Sequence, residues 1–138
     1  MKKTVFIDSS VFFTAVNSPT GGSAKLYTLK NIDLISSPLV LAEVERNVRQ
    51  KLFNYHLDRF FLLASMIKII KQSPNNILIQ KAKKIIVAKD AVILAEAKLT
   101  KANFLVTLDK KHFFTQKACN FFLPGKIVTP KILLNSLN

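Results

Sequence analysis

The sequence is poor in cysteine and glycine, with one cysteine and three glycines in 138 residues. The single cysteine, Cys119, excludes an internal disulfide and a cysteine-based zinc cluster, and its apolar neighbours indicate an inert thiol. Disorder is not expected either, because proline and glycine are few, low-complexity tracts are missing, and 49% of the residues are hydrophobic. Length and composition together predict one domain over residues 1–138.

Long apolar runs are also missing. Near the start of the chain, the apolar stretch is broken by Asp8 after three residues, so we predict a first strand and not a secretory signal. The apolar stretch FFLLASMIKII contains Lys68 and is shorter than the roughly 18 uninterrupted apolar residues of a membrane span. These features predict a soluble, cytoplasmic protein with no membrane partner.

Acidic residues are scarce. The chain has 8 Asp and Glu against 21 Lys and Arg, which gives a formal net charge of +13. Such an excess predicts attraction to polyanions, of which nucleic acid is the commonest for a cytoplasmic protein, and a solubilising lysine-rich surface is the alternative. Because lysine far outnumbers arginine, we expect contacts to the phosphate backbone more than bidentate reading of bases.

Runs rich in β-branched and aromatic residues alternate with helical patterns along the chain. Ser37 and Pro38 predict a helix start, with the helix running to about Phe53, and Ser73 with Pro74 repeats that signature. Asp90 is expected to open a further helix. The alternation predicts a parallel sheet covered by helices on both faces, with ligands bound at the carboxyl ends of the strands. Strands are predicted at 3–7, 32–36, 66–70, 103–109 and 125–130, and the segment 66–70 is alternatively the end of a helix that begins near residue 55.

Four of the eight acids, Asp8, Glu43, Asp90 and Asp109, follow predicted strands or lie on helices that could reach the same edge of the sheet. Carboxylates gathered there would repel one another by roughly 1 to 4 kcal/mol per close pair, depending on the effective dielectric. A divalent cation removes that cost, and oxygen ligands favour Mg²⁺ or Mn²⁺ over zinc. The alternative is that Asp8, Asp90 and Asp109 cap helices or turns, and that Glu43 is solvated.

Glu45 competes with Glu43 for a place in this cluster. Both glutamates lie beside the apolar stripe of the predicted helix, so helical geometry does not decide between them. The other three acids, Asp33, Asp58 and Glu96, have no comparable location and are expected to be surface charges.

Several segments resemble the PIN domain family: FIDSSVFF, SSPLVLAEVERNV, KDAVILAEAKLTKANFLVTLDKKHF and GKIVTP. The similarity covers nearly the whole chain. It implies a three-layer α/β/α sandwich around a central, mostly parallel five-stranded sheet, and metal-dependent cleavage of RNA or structured nucleic acid. Matched residue by residue, the resemblance implies metal-binding and catalytic roles for Asp8, Glu43 in preference to Glu45, Asp90 and Asp109, with supporting roles for Ser10 and Thr107.

The resemblance leads to the hypothesis of a ribonuclease that uses Mg²⁺ or Mn²⁺ to hydrolyse RNA phosphodiester bonds. The segment SPTGGS resembles a stretch of the toxin subgroup of toxin–antitoxin pairs, which implies a small antitoxin partner, and many similar domains form homodimers. The competing hypotheses are a catalytically silent nucleic-acid-binding scaffold of the same fold and a phosphoacceptor receiver domain. Candidate contacts to the RNA backbone are Arg46, Arg49, Lys110 and Lys111.

Two phenylalanines and two histidines are further residues to which a role in the site could be assigned. Phe12 and Phe13 are candidates for stacking on bases, although core packing is the interpretation that we favour. His56 and His112 are assigned no catalytic role, because a metal-activated water does not require a general acid.

Overall fold

Five parallel strands form the central sheet of the computed structural model, which describes residues 2–137. Their order across the sheet is β3-β2-β1-β4-β5. The predicted parallel sheet is confirmed, and the segment 66–70 contributes a strand of only two residues. The strands are β1 (Lys3–Ile7), β2 (Ile32–Ser36), β3 (Lys68–Ile69), β4 (Phe104–Val106) and β5 (Lys126–Val128).

Helices connect the strands and flank the sheet. In α3 the predicted start is confirmed, since Ser37 Oγ accepts the Val40 N–H and Pro38 occupies the first turn. Within the described residues, no helix has the length and apolar character needed to cross a membrane. The helices are α1 (Ser9–Asn17), α2 (Gly22–Lys25) followed by a 3₁₀ turn (Leu26–Thr28), α3 (Pro38–Lys51), α4 (Tyr55–Ser65), α5 (Asn76–Lys83), α6 (Ala88–Thr100), α7 (Lys110–Phe113), α8 (Gln116–Phe122) and α9 (Pro130–Ser136).

Two predicted helix starts are wrong by two residues. Ser73 does not cap α5; Asn75 does, because its Oδ1 accepts the Leu78 N–H at 2.8 Å. Asparagine is as good a cap as serine, and here it stands immediately before the helix. Helix α6 begins at Ala88, so Asp90 lies inside the first turn and does not open the helix.

The sheet is buried on both faces. Successive side chains of β1 point to opposite sides, and Val5, Phe6 and Ile7 are all fully buried. On one side α1 packs with α3 and α4, whereas α6 packs with α5 and α8. Each large apolar side chain removed from water in this way contributes about 1.5 to 3 kcal/mol before the entropy of ordering is subtracted.

The order of the strands places a crevice beside β1. β2 and β3 lie in turn on one side of β1, and β4 pairs with the other edge of β1. The connections after β1 and β4 therefore diverge where these two strands end, which is the usual ligand site of an open parallel sheet. The Asp8 N–H donates to the Val106 carbonyl at 3.1 Å and holds the two strand ends together.

Candidate metal centre

A cleft at the carboxyl ends of β1 and β4 brings the four predicted acids together. Asp8 follows β1, Glu43 lies on α3, Asp90 lies in the first turn of α6, and Asp109 precedes α7. The cleft is lined by Asp8, Ser9, Ser10, Phe13, Glu43, Asn47, Lys51, Lys89, Asp90, Ile93 and Asp109.

Asp8 is held by two hydroxyl groups. Its Oδ2 accepts hydrogen bonds from Thr107 Oγ1 at 2.7 Å and from Ser10 Oγ at 2.9 Å. Each hydroxyl also accepts a backbone N–H, that of Asp109 at Thr107 and that of Leu108 at Ser10, both at 3.0 Å. Thr107 and Ser10 therefore fix the Asp8 carboxylate and the segment that carries Asp109.

The electrostatics of the cleft disfavour further negative charge. Burial raises the pKa of Asp8, its hydrogen bonds from Thr107 and Ser10 oppose that rise, and Glu43 adds to it. Burial, followed by the charge of Asp8, raises the pKa of Asp90 to about 6, with Lys89 opposing the rise. Without a cation, the ionised carboxylates of the cleft therefore repel one another at neutral pH.

Glu43 and Glu45 lie on different sides of α3. Ser9 Oγ donates to Glu43 Oε2 at 2.9 Å, which orients this carboxylate in the cleft. Glu45 instead pairs with Arg49 at 3.0 Å, in a separate shallow pocket that Arg46 also lines. Two residues along a helix correspond to about 200° of rotation, which explains the separation.

Of the four residues predicted to contact RNA, two lie away from the acidic cleft and two follow one of its acids. Arg46 and Arg49 lie with Glu45, outside the lining of the acidic cleft. Lys110 and Lys111 are exposed on α7, immediately after Asp109.

Several cleft residues were missed by the sequence reasoning. Asn47 and Lys51 line the cleft four and eight residues after Glu43, a spacing that a helical projection could have revealed. Lys89 precedes Asp90 and lines the same cleft. His112, to which no role was assigned, is not part of this lining but lies next to two of its acids, with its Nδ1 2.8 Å from Asp109 Oδ2 and 3.7 Å from Asp90 Oδ2.

Core packing, the favoured interpretation of Phe12, is confirmed, and the expectation about one neighbouring acid requires correction. Phe12 is fully buried and stacks on Phe60 at 5.3 Å between ring centroids, so it cannot stack on bases, whereas Phe13 is half-buried and lines the cleft. Glu96, expected to be a surface charge, is buried on α6. Burial raises the pKa of Glu96, and a hydrogen bond from Ser37 opposes that rise.

The donor atoms fit a divalent cation. Asp90 Oδ2 is buried and, among residues 2–137, has no hydrogen-bond partner, although a buried carboxylate oxygen normally has one. Asp90, Asp109 and His112 each offer a ligand atom, and these three atoms lie within 4.8 Å of one another. A cation bound there would supply the missing partner of Asp90 and offset the mutual repulsion of the acids.

The fold also occurs in solved structures of toxin–antitoxin proteins. VapBC2 from Rickettsia felis, bound to a DNA fragment from its promoter, matches with a TM-score of 0.70, at 20% identity over 91% of this chain and 96% of that chain. VapBC-1 from nontypeable Haemophilus influenzae matches with a TM-score of 0.64, at 16% identity over 93% and 98%. VapC20 from Mycobacterium tuberculosis, described as a toxin that cleaves the sarcin-ricin loop, matches with a TM-score of 0.59, at 14% identity over 78% and 91%.

Sequence comparison identifies the family. No curated protein sequence matches the chain significantly. Residues 5–118 match the model of the PIN domain, and this range includes all four acids of the cleft. Because that match covers most of the chain, the protein belongs to the PIN domain family.

Proposed function

We propose that this protein is a metal-dependent ribonuclease whose centre is the acidic cleft. The observation that carries the proposal is the buried Asp90 Oδ2, which has no hydrogen-bond partner within the described part of the chain and lies in a cleft with three further carboxylates. Asp8, Asp90 and Asp109 would hold Mg²⁺ or Mn²⁺, with Glu43 as a direct ligand or acting through water. When bound, the cation supplies an activated water and stabilises charge on the phosphate and the leaving oxygen.

The residues of the chain prepare the cleft for phosphodiester hydrolysis. Thr107 and Ser10 orient Asp8, and Ser9 orients Glu43, so these carboxylates are positioned before substrate arrives. Lys51 and Lys89 lie at the same cleft and carry the positive charge that a phosphate backbone requires. The acids and lysines together support the proposal of a cation site beside a site for a polyanion.

RNA is the proposed substrate. The formal net charge of +13 favours a nucleic acid, and VapC20, which shares the fold, is described as cleaving the sarcin-ricin loop. Lys110 and Lys111 follow Asp109 directly and are proposed to contact the RNA backbone. Arg46 and Arg49 remain proposed contacts for RNA outside the cleft, on the side of α3 that carries Glu45.

We further propose that the protein is the toxin of a toxin–antitoxin pair. Two of the matched structures, VapBC2 and VapBC-1, are VapBC proteins. Helix α4 exposes the large apolar side chains of Phe61 and Leu62, and the residue that follows it, Met66, is exposed as well; such side chains mark protein–protein surfaces. A small antitoxin or a second copy of the chain is the proposed partner of this surface, and production of the protein alone is expected to slow cell growth.

Cleavage of labelled single-stranded RNA by purified protein, in Mg²⁺, Mn²⁺ or EDTA, tests the nuclease proposal. Asp8→Asn and Asp90→Asn are compared with Asp58→Asn, a matched change at an exposed acid outside the cleft. We expect metal-dependent cleavage by wild type and Asp58→Asn, and a loss of at least about 100-fold in both cleft variants. Cleavage that persists in both cleft variants would point to a contaminating nuclease.

A second result would support a different function. If the protein binds RNA but cleaves none of several RNAs in either metal, the nuclease proposal fails. The chain would then be the catalytically silent scaffold of the PIN fold.

A further inference from the structure

The local structure of α7 holds His112 against the Asp109 carboxylate through two contacts. The Asp109 carboxylate accepts the backbone N–H of His112 through Oδ1 at 3.2 Å, and its Oδ2 lies 2.8 Å from the ring Nδ1. A short helix that begins directly after an aspartate brings the third following residue back over that carboxylate. The imidazole is therefore positioned at the cleft by Asp109 itself, and it is only partly exposed.

The same ring nitrogen faces a second acid from another helix. His112 Nδ1 lies 3.7 Å from Asp90 Oδ2, the buried oxygen that lacks a hydrogen-bond partner among residues 2–137. In an octahedral site with bonds of about 2.1 Å, neighbouring ligand atoms lie about 3 Å apart. The distance from His112 Nδ1 is 2.8 Å to Asp109 Oδ2 and 3.7 Å to Asp90 Oδ2, one below and one above that value. Small side-chain movements would therefore suffice for one ion to contact all three groups.

A purely structural role for His112 accounts for only part of this geometry. A hydrogen bond from Nδ1 to Asp109 explains the 2.8 Å contact, but it leaves Asp90 Oδ2 without a partner. An ion shared by the three side chains accounts for both contacts.

We propose that His112 Nδ1 is a nitrogen ligand of the metal centre, and that this ligand makes the centre prefer Mn²⁺ or another transition-metal ion over Mg²⁺. The inference rests on the proposed function, because it extends the same acidic cleft. On metal binding, the single ring proton resides on Nε2, and the lone pair of Nδ1 replaces the hydrogen bond to Asp109 with a bond to the ion. Imidazole favours transition metals, whereas Mg²⁺ prefers oxygen ligands, so the nitrogen biases the choice of ion.

Pulsed electron paramagnetic resonance of the full chain loaded with Mn²⁺ tests this assignment directly. The protein has two histidines, so His56→Gln is a matched control for His112→Gln. We expect a histidine nitrogen coupling in wild type and His56→Gln, and its loss in His112→Gln. Labelling the histidines with ¹⁵N identifies the coupled nucleus in the unmodified protein, so the assignment does not depend on the variant folding.

Isothermal titration with Mn²⁺ and with Mg²⁺ provides the second readout. In His112→Gln we expect the ratio of Mn²⁺ to Mg²⁺ affinity to fall about tenfold, while His56→Gln leaves it unchanged. Mn²⁺ binding and RNA cleavage without nitrogen coupling and with an unchanged ratio would overturn the role of His112 and leave the nuclease proposal intact. If neither ion binds and cleavage is absent or independent of metal, both proposals fail.

Discussion

At the scale of single residues, the site depends on hydroxyl groups that each join two parts of the chain. Thr107 Oγ1 donates to Asp8 Oδ2 at 2.7 Å and accepts the Asp109 N–H at 3.0 Å. One side chain thus links the end of β1 to the segment after β4, across the crevice where the acids meet. Removing this hydroxyl should reduce RNA cleavage more than removing an average buried hydroxyl, because Asp8 and Asp109 each lose a hydrogen-bond partner.

Thr107→Val keeps the shape of the side chain and removes both hydrogen bonds. We expect a loss of about 1 to 3 kcal/mol in the free energy of unfolding, since a buried acceptor and an N–H lose a partner. RNA cleavage should fall at least about tenfold because Asp8 is less well oriented. Urea unfolding and initial cleavage rates measure the two effects.

Thr107→Ser retains the hydroxyl and should recover most of the cleavage. Thr28→Val, which removes an exposed hydroxyl bonded to the Lys25 carbonyl, serves as the control for a hydroxyl outside the site. Wild-type cleavage by Thr107→Val would show that Asp8 needs no orientation from Thr107.

Glu96 predicts a pH dependence of stability. Burial raises its pKa, so the folded protein holds a proton that the unfolded chain releases at lower pH. The stability that this proton confers is present below the ordinary glutamate pKa and is lost as the pH rises through the folded-state value. As the pH rises above the ordinary glutamate pKa, Glu96→Gln should therefore lose less stability than wild type, a difference that urea unfolding at a series of pH values measures.

Other buried acids also titrate, but they are common to both proteins and cancel in that difference. Glu45→Gln, at a glutamate paired with Arg49 on the surface of α3, is the matched control and should not reproduce the change expected of Glu96→Gln. Identical profiles for wild type and Glu96→Gln would contradict the prediction.

At the scale of elements, helix α6 carries Asp90 at one end and an unfavourable backbone at the other. It ends at Thr100, and the next residue, Lys101, adopts a left-handed conformation with φ of 56°. That conformation costs a residue with a side chain about 1 kcal/mol, whereas glycine adopts it freely. Asp90 and Lys101 are eleven positions apart, which corresponds to about 16 Å of helix, so the two ends can be changed separately.

Lys101→Gly is expected to raise the free energy of unfolding by up to about 1 kcal/mol without changing cleavage or metal affinity. Lys81→Gly, at an exposed position inside α5, is the opposite control and should lower stability by about 1 kcal/mol. Urea unfolding of the two variants measures both changes. Equal effects of the two glycines would show that the Lys101 conformation carries no strain.

Local signals predicted some elements well and others poorly. The start of α3 follows from a serine and a proline in adjacent positions, and four of the five strands lie where β-branched and aromatic residues cluster. The start of α5 was misplaced because Ser73, Pro74 and Asn75 all carry capping or turn signals within three residues. In β3, only two residues of the apolar segment 66–70 find a neighbouring strand, and that depends on pairing with β2, not on local sequence.

At the scale of the whole molecule, the cleft is a product of topology. Asp8 and Asp109 are about a hundred residues apart in sequence, and they meet only because β4 pairs with β1. Which four acids line the cleft could be predicted from the sequence together with the family resemblance. The approach of His112 to Asp90 could not, because it depends on how α7 and α6 are placed against each other. The burial of Glu96 has the same cause, since α6 is covered on several sides.

The cluster of acids also couples metal binding to the stability of the whole fold. In EDTA at pH 8, the crowded carboxylates oppose folding, so Asp90→Asn should be more stable than wild type by about 1 to 2 kcal/mol. Mn²⁺ at a concentration 100 times its dissociation constant should stabilise wild type by about 2.7 kcal/mol, because the ion binds only the folded chain. Asp90→Asn should gain far less from the ion, so the order of stability reverses when metal is added.

Thermal unfolding of wild type, Asp90→Asn and Asp58→Asn, each with EDTA and with Mn²⁺, measures this coupling. Asp58 is exposed and outside the cleft, so its variant should follow wild type in both conditions. If Asp90→Asn and wild type keep the same order with and without Mn²⁺, then Asp90 is not a ligand and its burial has a purely structural cause. A reversed order of stability would show that the acids that destabilise the metal-free protein are those that bind the ion.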